Sequence, residues 1–454
     1  MIFLKRRRLV FWLVKAYLKK WRRTAVFFFL VGLLFFFAIR FFSSYFANKL
    51  PFVRKDVIGI VGAYTIDNLP SEILTKISRG LTYTSENGLP KPDTALSWEI
   101  KDDGKTYIFK LKDNIYFTNG DKLNSESINY DFIDVLEERS DKSTIVYKLK
   151  ESYSPFLTTV SRPIFKGNFV GLGDYKVKNI KLNGNFVQSI DLVSKENEYK
   201  IISYQMYPTE EALKIAYNLG EITKANGLTN TSYKDLDFKN YKNSDVKKYV
   251  DKNTLVTLFY NTQDPVLSDK KLRDAFTYAT PDNFSYGERS YGPFSSRFWG
   301  NSNTISEYQQ DFEHSKKFLE APEGQDESNS KIKVEIKALS KYKDVALDLK
   351  DIYKNIGIEI SVSIVDSFPQ NFQIFLGDFS VPKDPDQYTL WHSNQGNNIT
   401  KYINLRIDKL LEDGRKTVDI GSRQTIYSDF EKYLLDDSPA TFLYFPYKYD
   451  VSRK

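Results

Sequence analysis

Cysteine is absent from this 454-residue sequence, and histidine and methionine occur twice each. Without cysteine there can be no disulfide, no thiol nucleophile and no thiolate metal site. His314 and His392 are too few to hold a metal directly, so neither a metal nor a cofactor is expected. Catalytic signatures are missing as well: no Gly-x-Ser-x-Gly elbow, phosphate loop, His-Glu-x-x-His pair or dinucleotide fingerprint occurs. Nothing among these residues asks for catalysis, and no enzyme is expected. If the chain is exported, its lack of disulfides suits a bacterial surface better than a small secreted scaffold.

Acidic residues are absent from the first 55 positions, where thirteen of the 65 Lys and Arg lie. The other 399 residues therefore carry 52 basic against 58 acidic side chains, and the formal net charge of +7 belongs wholly to the N-terminus. A nucleic-acid partner would need its basic face on the folded body, so none is expected. Nine basic residues between Lys5 and Arg23 precede sixteen uncharged ones, Thr24 to Ile39, rich in Phe and Leu. Sixteen is short of the roughly 20 needed to span a bilayer. Continuing to Phe46 gives about 34 Å of helix, with Arg40 near one end where it can snorkel. The expectation is a basic cytoplasmic segment at 1–23, an uncleaved single-pass anchor at 24–46 and a linker at 47–55. The positive flank then places the rest of the chain outside the membrane. A cleaved signal peptide is the rival reading, but Tyr45-Phe46-Ala47 makes a poor cleavage site.

The remaining length exceeds one compact core. Asp103-Gly104 reads as a hairpin turn between Trp98–Ile100 and the alternating Tyr107, Phe109, Leu111. A strand is expected at Ile115–Phe117. Asn124 is expected to cap a helix with the stripe Ile128, Phe132, Val135, Leu136, and a further helix to lie near Glu210–Leu219. Ile332, Val334 and Ile336 alternate, and a helix with Val345, Leu349, Ile352 and Ile356 on one face follows. Gly357 then precedes the alternating Ile358 to Ile364. Strand, helix and strand in about 33 residues make a βαβ unit with a parallel pair. A third strand, Phe372–Leu376, is expected to end at Gly377-Asp378. Ligand crevices in α/β sheets lie beyond strand ends, so Asp378 either meets a ligand or caps a turn.

The order of segments resembles the family 5 extracellular solute-binding proteins, the oligopeptide, dipeptide and nickel receptors of ABC importers. The likeness runs over roughly 56–447. It begins with Ile77-Ser78-Arg79-Gly80-Leu81, and with Asn87-Gly88-Leu89-Pro90 leading to Ala95-Leu96-Ser97-Trp98-Glu99. It continues through Gly171-Leu172-Gly173-Asp174-Tyr175, Gly220-Glu221-Ile222, Phe259-Tyr260-Asn261 and Leu272 to Ala279. The late block is Asp384-Pro385, Trp391-His392-Ser393, Tyr402-Ile403-Asn404 and Pro439 to Tyr447.

The resemblance implies an α/β, two-lobed fold of the periplasmic-binding-protein type (type II) with a hinge. Lobe I would be 56–252, with a reduced inserted subdomain and 440–454 returning to it; lobe II would be 253–439. The chain looks about a hundred residues short of the usual folded length, and relatives continue past its last residues. The implied function is capture of peptides by lobe closure at the outer face of the cell membrane, as a monomer, and delivery to the permease subunits of an ABC importer. The alternatives are a nickel chelate, haem or an oligosaccharide as ligand, or a receptor that kept the fold and lost transport. Peptide binders of the family hold the ligand's ammonium with an aspartate before the Asp-Pro segment. The resemblance offers Asp378 for that role with Asp384 as fallback, Trp391, Tyr388 and Trp299 as pocket walls, and Asn261 at the hinge.

Overall fold

A computed structural model of the chain describes residues 12, 15–17, 19–47, 54–294, 299, 308–320 and 332–454. Two units separate, 1–55 and 56–454. In the first, Arg22–Ala47 forms one 26-residue helix, within two residues of the expected bounds. Among the described residues no helix is long and apolar enough to cross a membrane, so the structure lends the expected span no support. The physical shortfall is the sixteen-residue uncharged run, only about 24 Å of helix, with Arg40 closing it. Most of the basic segment and of the linker lies outside the described residues.

In the second unit, the βαβ unit forms as its periodicity requires. Lys333–Leu339 and Glu359–Val365 pair in parallel, Val334 opposite Ile360. The intervening helix Lys343–Lys354 buries Val345, Ala346, Leu349 and Tyr353 against them. Gly357 closes the helix at φ +85°, a conformation glycine adopts without strain. The next strand, however, is Ile374–Ser380. It runs through Gly377 and Asp378, because Gly377 pairs with Thr257 and Asp378 with Val256 in the antiparallel neighbour Thr254–Tyr260. Gly377 is there for space and not for a turn: a Cβ would meet the ring of Phe375 two residues back.

The C-terminal strand Ala440–Arg453 joins the two halves of this unit. Its beginning pairs with Thr254–Tyr260. Its end lies between Lys224–Leu228 and Ser244–Val250, the latter over seven consecutive residues. The chain thus crosses twice side by side, at 251–253 and near Pro446. Beyond the crossing, Arg54–Val61 lies parallel to Lys224–Leu228. The sheet continues through the antiparallel strands Lys200–Tyr207, Phe186–Ser194 and Tyr175–Asn183.

A separate antiparallel sheet is built from Ala95–Lys101, Thr106–Leu111, Thr144–Leu149 and Val135–Asp141. It has its own core around Tyr107, Phe109, Ile145, Tyr147 and Phe156. The expected hairpin at Asp103-Gly104 is present. Two expectations nearby fail. Ile115–Phe117 is not a strand and contributes only the isolated bridge from Tyr116 to Lys122. Asn124 does form a capping box with Ser127, but only a 3₁₀ turn, Ser125–Ser127, follows. Asp131 then takes φ +51°, which no right-handed helix contains. Val135 and Leu136 open a strand instead, so the apparent helical stripe joins residues of two different elements.

Candidate functional site

Asp384, Tyr388, Trp391 and Trp299 come together beside two helices, Leu405–Lys416 and Ile420–Asp437, which are packed on one another. Arg423 and Arg415 organise the group. Asp384 is buried and accepts from both ends of the Arg423 guanidinium at 2.7 and 3.0 Å, and from the Asp386 N–H at 3.0 Å. Arg423 also lies over the Trp299 ring at 5.1 Å. Asp386 takes Arg415 at 2.8 Å, and Arg415 stacks on Tyr388 at 3.9 Å. Burial raises the Asp386 carboxyl above its ordinary value, with Arg415 opposing the shift. Trp391 is buried with Phe442 edge-on at 6.0 Å, and its indole N–H donates to Gln387 at 2.7 Å.

Asp378 is elsewhere. It shares a face of its strand with Leu376 and is held by the Lys341 ammonium at 2.7 Å. The Tyr342 phenol beside it is pushed far up, first by burial and then by the Asp378 charge. Asn261 donates to the Phe372 carbonyl at 3.0 Å. It follows Tyr260 at the end of Thr254–Tyr260 away from the crossing, about 20 Å along the strand. Both aspartates singled out for an ammonium therefore already hold a cation from the protein itself.

The crossing does form a cleft, of about 530 Å³. Its floor is Tyr249–Asn253. One wall is the hairpin tip Thr84–Glu86 with Gly88, and the other is Val381–Lys383, directly after the strand Ile374–Ser380. The hairpin is set by Thr82–Thr84 pairing with Pro90–Pro92, and its tip is closed by the Gly88 N–H to the Ser85 carbonyl at 2.9 Å. Trp299 ties this tip to the second half through its backbone N–H, which donates to the Asn87 carbonyl at 3.1 Å. The opposite wall is fixed by the Val381 N–H to the Asn253 carbonyl at 2.9 Å. Farther out, the Ser154 N–H donates to the Arg415 carbonyl at 2.7 Å, so the inserted sheet touches the helical layer. Glu86, Asp251 and Lys383 escaped the sequence reading. Only the Asn87-Gly88 turn and the approach to Asp384-Pro385 marked their neighbourhood.

This is a mixed α/β body with a cleft where the chain crosses twice. Residues 90–401 match the family described as bacterial extracellular solute-binding proteins, family 5 middle. The chain belongs to the family 5 extracellular solute-binding proteins. As a family 5 protein it is a binding protein and not an enzyme. Among curated relatives, oligopeptide-binding protein AppA of Bacillus subtilis is 24% identical over 473 aligned residues, covering 86% of each chain. The probable D,D-dipeptide-binding periplasmic protein DdpA of Escherichia coli is 20% identical, covering 78% of each. The solved structure of the ABC transporter substrate-binding protein CtaP of Listeria monocytogenes matches with a TM-score of 0.73 at 21% identity, over 88% of this chain and 94% of that one. NikZ of Campylobacter jejuni in complex with Ni(L-His) matches at 0.70 and 22% identity, with the same coverage. At those identities the solved structures establish the substrate-binding-protein fold alone.

Proposed function

We propose that this family 5 protein captures peptides in the cleft at the crossing and hands them to the permease of an ABC importer. The observation that carries the proposal is the cleft itself, walled by both halves of the chain and floored by the segment that joins them. Such a site tightens when the halves rotate about residues 251–253 and Pro446, and a ligand drives that rotation only by binding the closed state better. The peptide-binding names of AppA and DdpA support the choice of ligand. A nickel chelate is the second reading, favoured by the likeness to NikZ. No group of three or more His, Cys, Asp or Glu side chains able to hold a metal occurs among the described residues, so a chelate would have to bring its own ligands.

Thermal unfolding of the full chain in mild detergent tests the proposal. A peptide at a hundredfold excess over Kd stabilises by about 2.7 kcal/mol, read as a higher melting temperature. Defined peptides of three to nine residues that leave the melt unchanged, while Ni(L-His) raises it, would exchange the first reading for the second.

Attachment to the outer face of the membrane is the finer part of the proposal. It rests on the basic flank and on the uncharged run Thr24–Ile39, with Arg40 snorkelling to extend it. Release of the protein from membranes by alkaline carbonate would remove this part and leave peptide capture standing.

A further inference from the structure

The two halves also meet away from the crossing. On the first half, the hairpin turn Asp102–Gly104 carries the segment 152–154. The Ser152 hydroxyl donates to the Asp103 carbonyl at 2.6 Å, and the Tyr107 hydroxyl to the Tyr153 carbonyl at 2.9 Å. On the second half, the contact falls on the turn 414–418 between the helices Leu405–Lys416 and Ile420–Asp437. Ser154 is buried there and bonds twice. Its N–H donates to the Arg415 carbonyl at 2.7 Å and its hydroxyl to the Gly414 carbonyl at 3.2 Å. Beside it, Gly104 lies so near Val418 that a Cβ would come within 2.5 Å of a Val418 methyl group. The Arg415 guanidinium stands over the Tyr153 ring at 5.6 Å.

The turn 414–418 is braced from within its own half. The Gly414 carbonyl that accepts from Ser154 also accepts from Arg423 Nε at 2.9 Å. The same guanidinium grips Asp384, which directly follows the cleft wall Val381–Lys383. A continuous series of bonds therefore runs from the cleft wall through Asp384, Arg423 and Gly414 to Ser154. Between the halves, however, the contact is only two hydrogen bonds, one methyl group against a glycine and one ring beneath a guanidinium. Rotation about 251–253 and Pro446 separates the two sides, and a hydrogen bond does not survive stretching beyond about 3.5 Å.

We infer that the sheet built on 95–149 is a latch: the segment 152–154 clasps the turn 414–418 and holds the halves closed by the chain's own groups. This rests on the rotation about the crossing that the reading above requires, and not on what the cleft binds. A ligand then has less of the closing equilibrium to shift, but its entry and its release both wait for the clasp to part. The contact is reversible because it is small. It is specific because Gly104 leaves room for Val418 and Ser154 meets two carbonyls that no helix bond uses up.

Distances between two spin labels on the full chain in detergent decide it. The sequence has no cysteine, so labels attach only where one is introduced, at the exposed positions Lys142→Cys on the first half and Lys350→Cys on the second. No ligand is added. The labelled parent shows one narrow distance, with a longer one in about a tenth of molecules or fewer. Val418→Asp sets a carboxylate against the Gly104 backbone and raises the ratio of long to short distances about tenfold, the effect of losing a pair of hydrogen bonds. Ser154→Ala loses only the hydroxyl bond and raises it less. One cooperative melt in each variant confirms that both are folded. Identical distance distributions in the parent and both variants overturn the latch, as does a parent already dominated by the longer distance. Either result leaves peptide capture standing, while peptides that fail to shift the melt remove peptide capture and leave the latch.

Discussion

Arg423 and Asp384 are each less than a tenth exposed and share two hydrogen bonds. Removing one partner of such a pair strands the other as a buried charge, which costs about 3–5 kcal/mol, whereas replacing both by apolar groups costs far less. Arg423→Met should therefore lower the urea midpoint strongly, and adding Asp384→Leu should restore most of it. A single variant as stable as the parent chain would show the pair to be wet and weak. The sequence could not reveal this pairing, because the two residues are 39 positions apart and nothing in an Asp-Pro motif names its cation. The same holds for Asp378 and Lys341. An aspartate's type and place were legible, but its occupancy was not. Glu210 gives the residue-scale pH prediction. Burial pushes its carboxyl up, but the Lys214 ammonium and the two Thr229 donors outweigh that and hold it below its ordinary value. A depressed folded value stabilises fully above the ordinary 4.5, and this contribution disappears as the pH falls below it. The stability gap between the parent chain and Glu210→Gln, measured by urea titration, should be present at neutral pH and shrink steadily in acid; a constant gap would refute the assignment.

Elements were most readable where one periodicity ran unbroken to a capping residue. Glu210–Leu219 is bounded by the Thr209 cap and by Gly220 at φ +84°, and the helix matches the expected range. The parallel βαβ unit was equally plain, because burial follows the alternation of its first strand: Val334, Ile336 and Ala338 are all buried. Reading failed where apolar residues of neighbouring elements happened to fall at helical spacing, as from Ile128 to Leu136. The Gly171-Leu172-Gly173 run illustrates a family signal whose structural reason was not visible in the sequence. A Cβ on Gly171 would strike the Ile77 carbonyl, and one on Gly173 the Lys76 carbonyl, so the run is pressed onto the last turn of Ser71–Ile77. The Gly173 N–H also donates to the Ile77 carbonyl at 2.8 Å. Backbone cannot yield as a side-chain tip can, so Gly173→Ala should cost about 1–3 kcal/mol. Gly396→Ala is the control, since nothing lies within 4 Å of its Cβ position; it should leave the midpoint nearly unchanged. Equal effects of the two substitutions would mean that the contact is not what holds Gly173.

On the scale of the whole molecule, the charge division and the family order of segments were legible, and the resemblance returned 440–454 to the first lobe, while the strands that this segment joins were not legible. Ala440–Arg453 pairs with four strands that all lie within 224–289, far earlier in the chain, and no local pattern encodes that. The consequence is mechanical as well as structural. Val451 is fully buried among Leu213, Tyr217, Ala225 and Leu228, so the last residues complete a core whose other members lie more than two hundred positions earlier. Ser244–Val250 and Lys224–Leu228 both find a neighbour in the same eight-residue end. Deleting residues 447–454 should therefore damage the first half selectively and leave the βαβ layer of the second, which packs on its own cluster, largely intact. In urea, a cooperative transition should give way to two, with the amides of 224–228 and 244–250 exchanging with solvent well before those of 333–339. If the shortened chain unfolds in one transition at the parent midpoint, the C-terminal strand is an ornament on a body that coheres without it, and rotation of the halves about the crossing loses its physical axle.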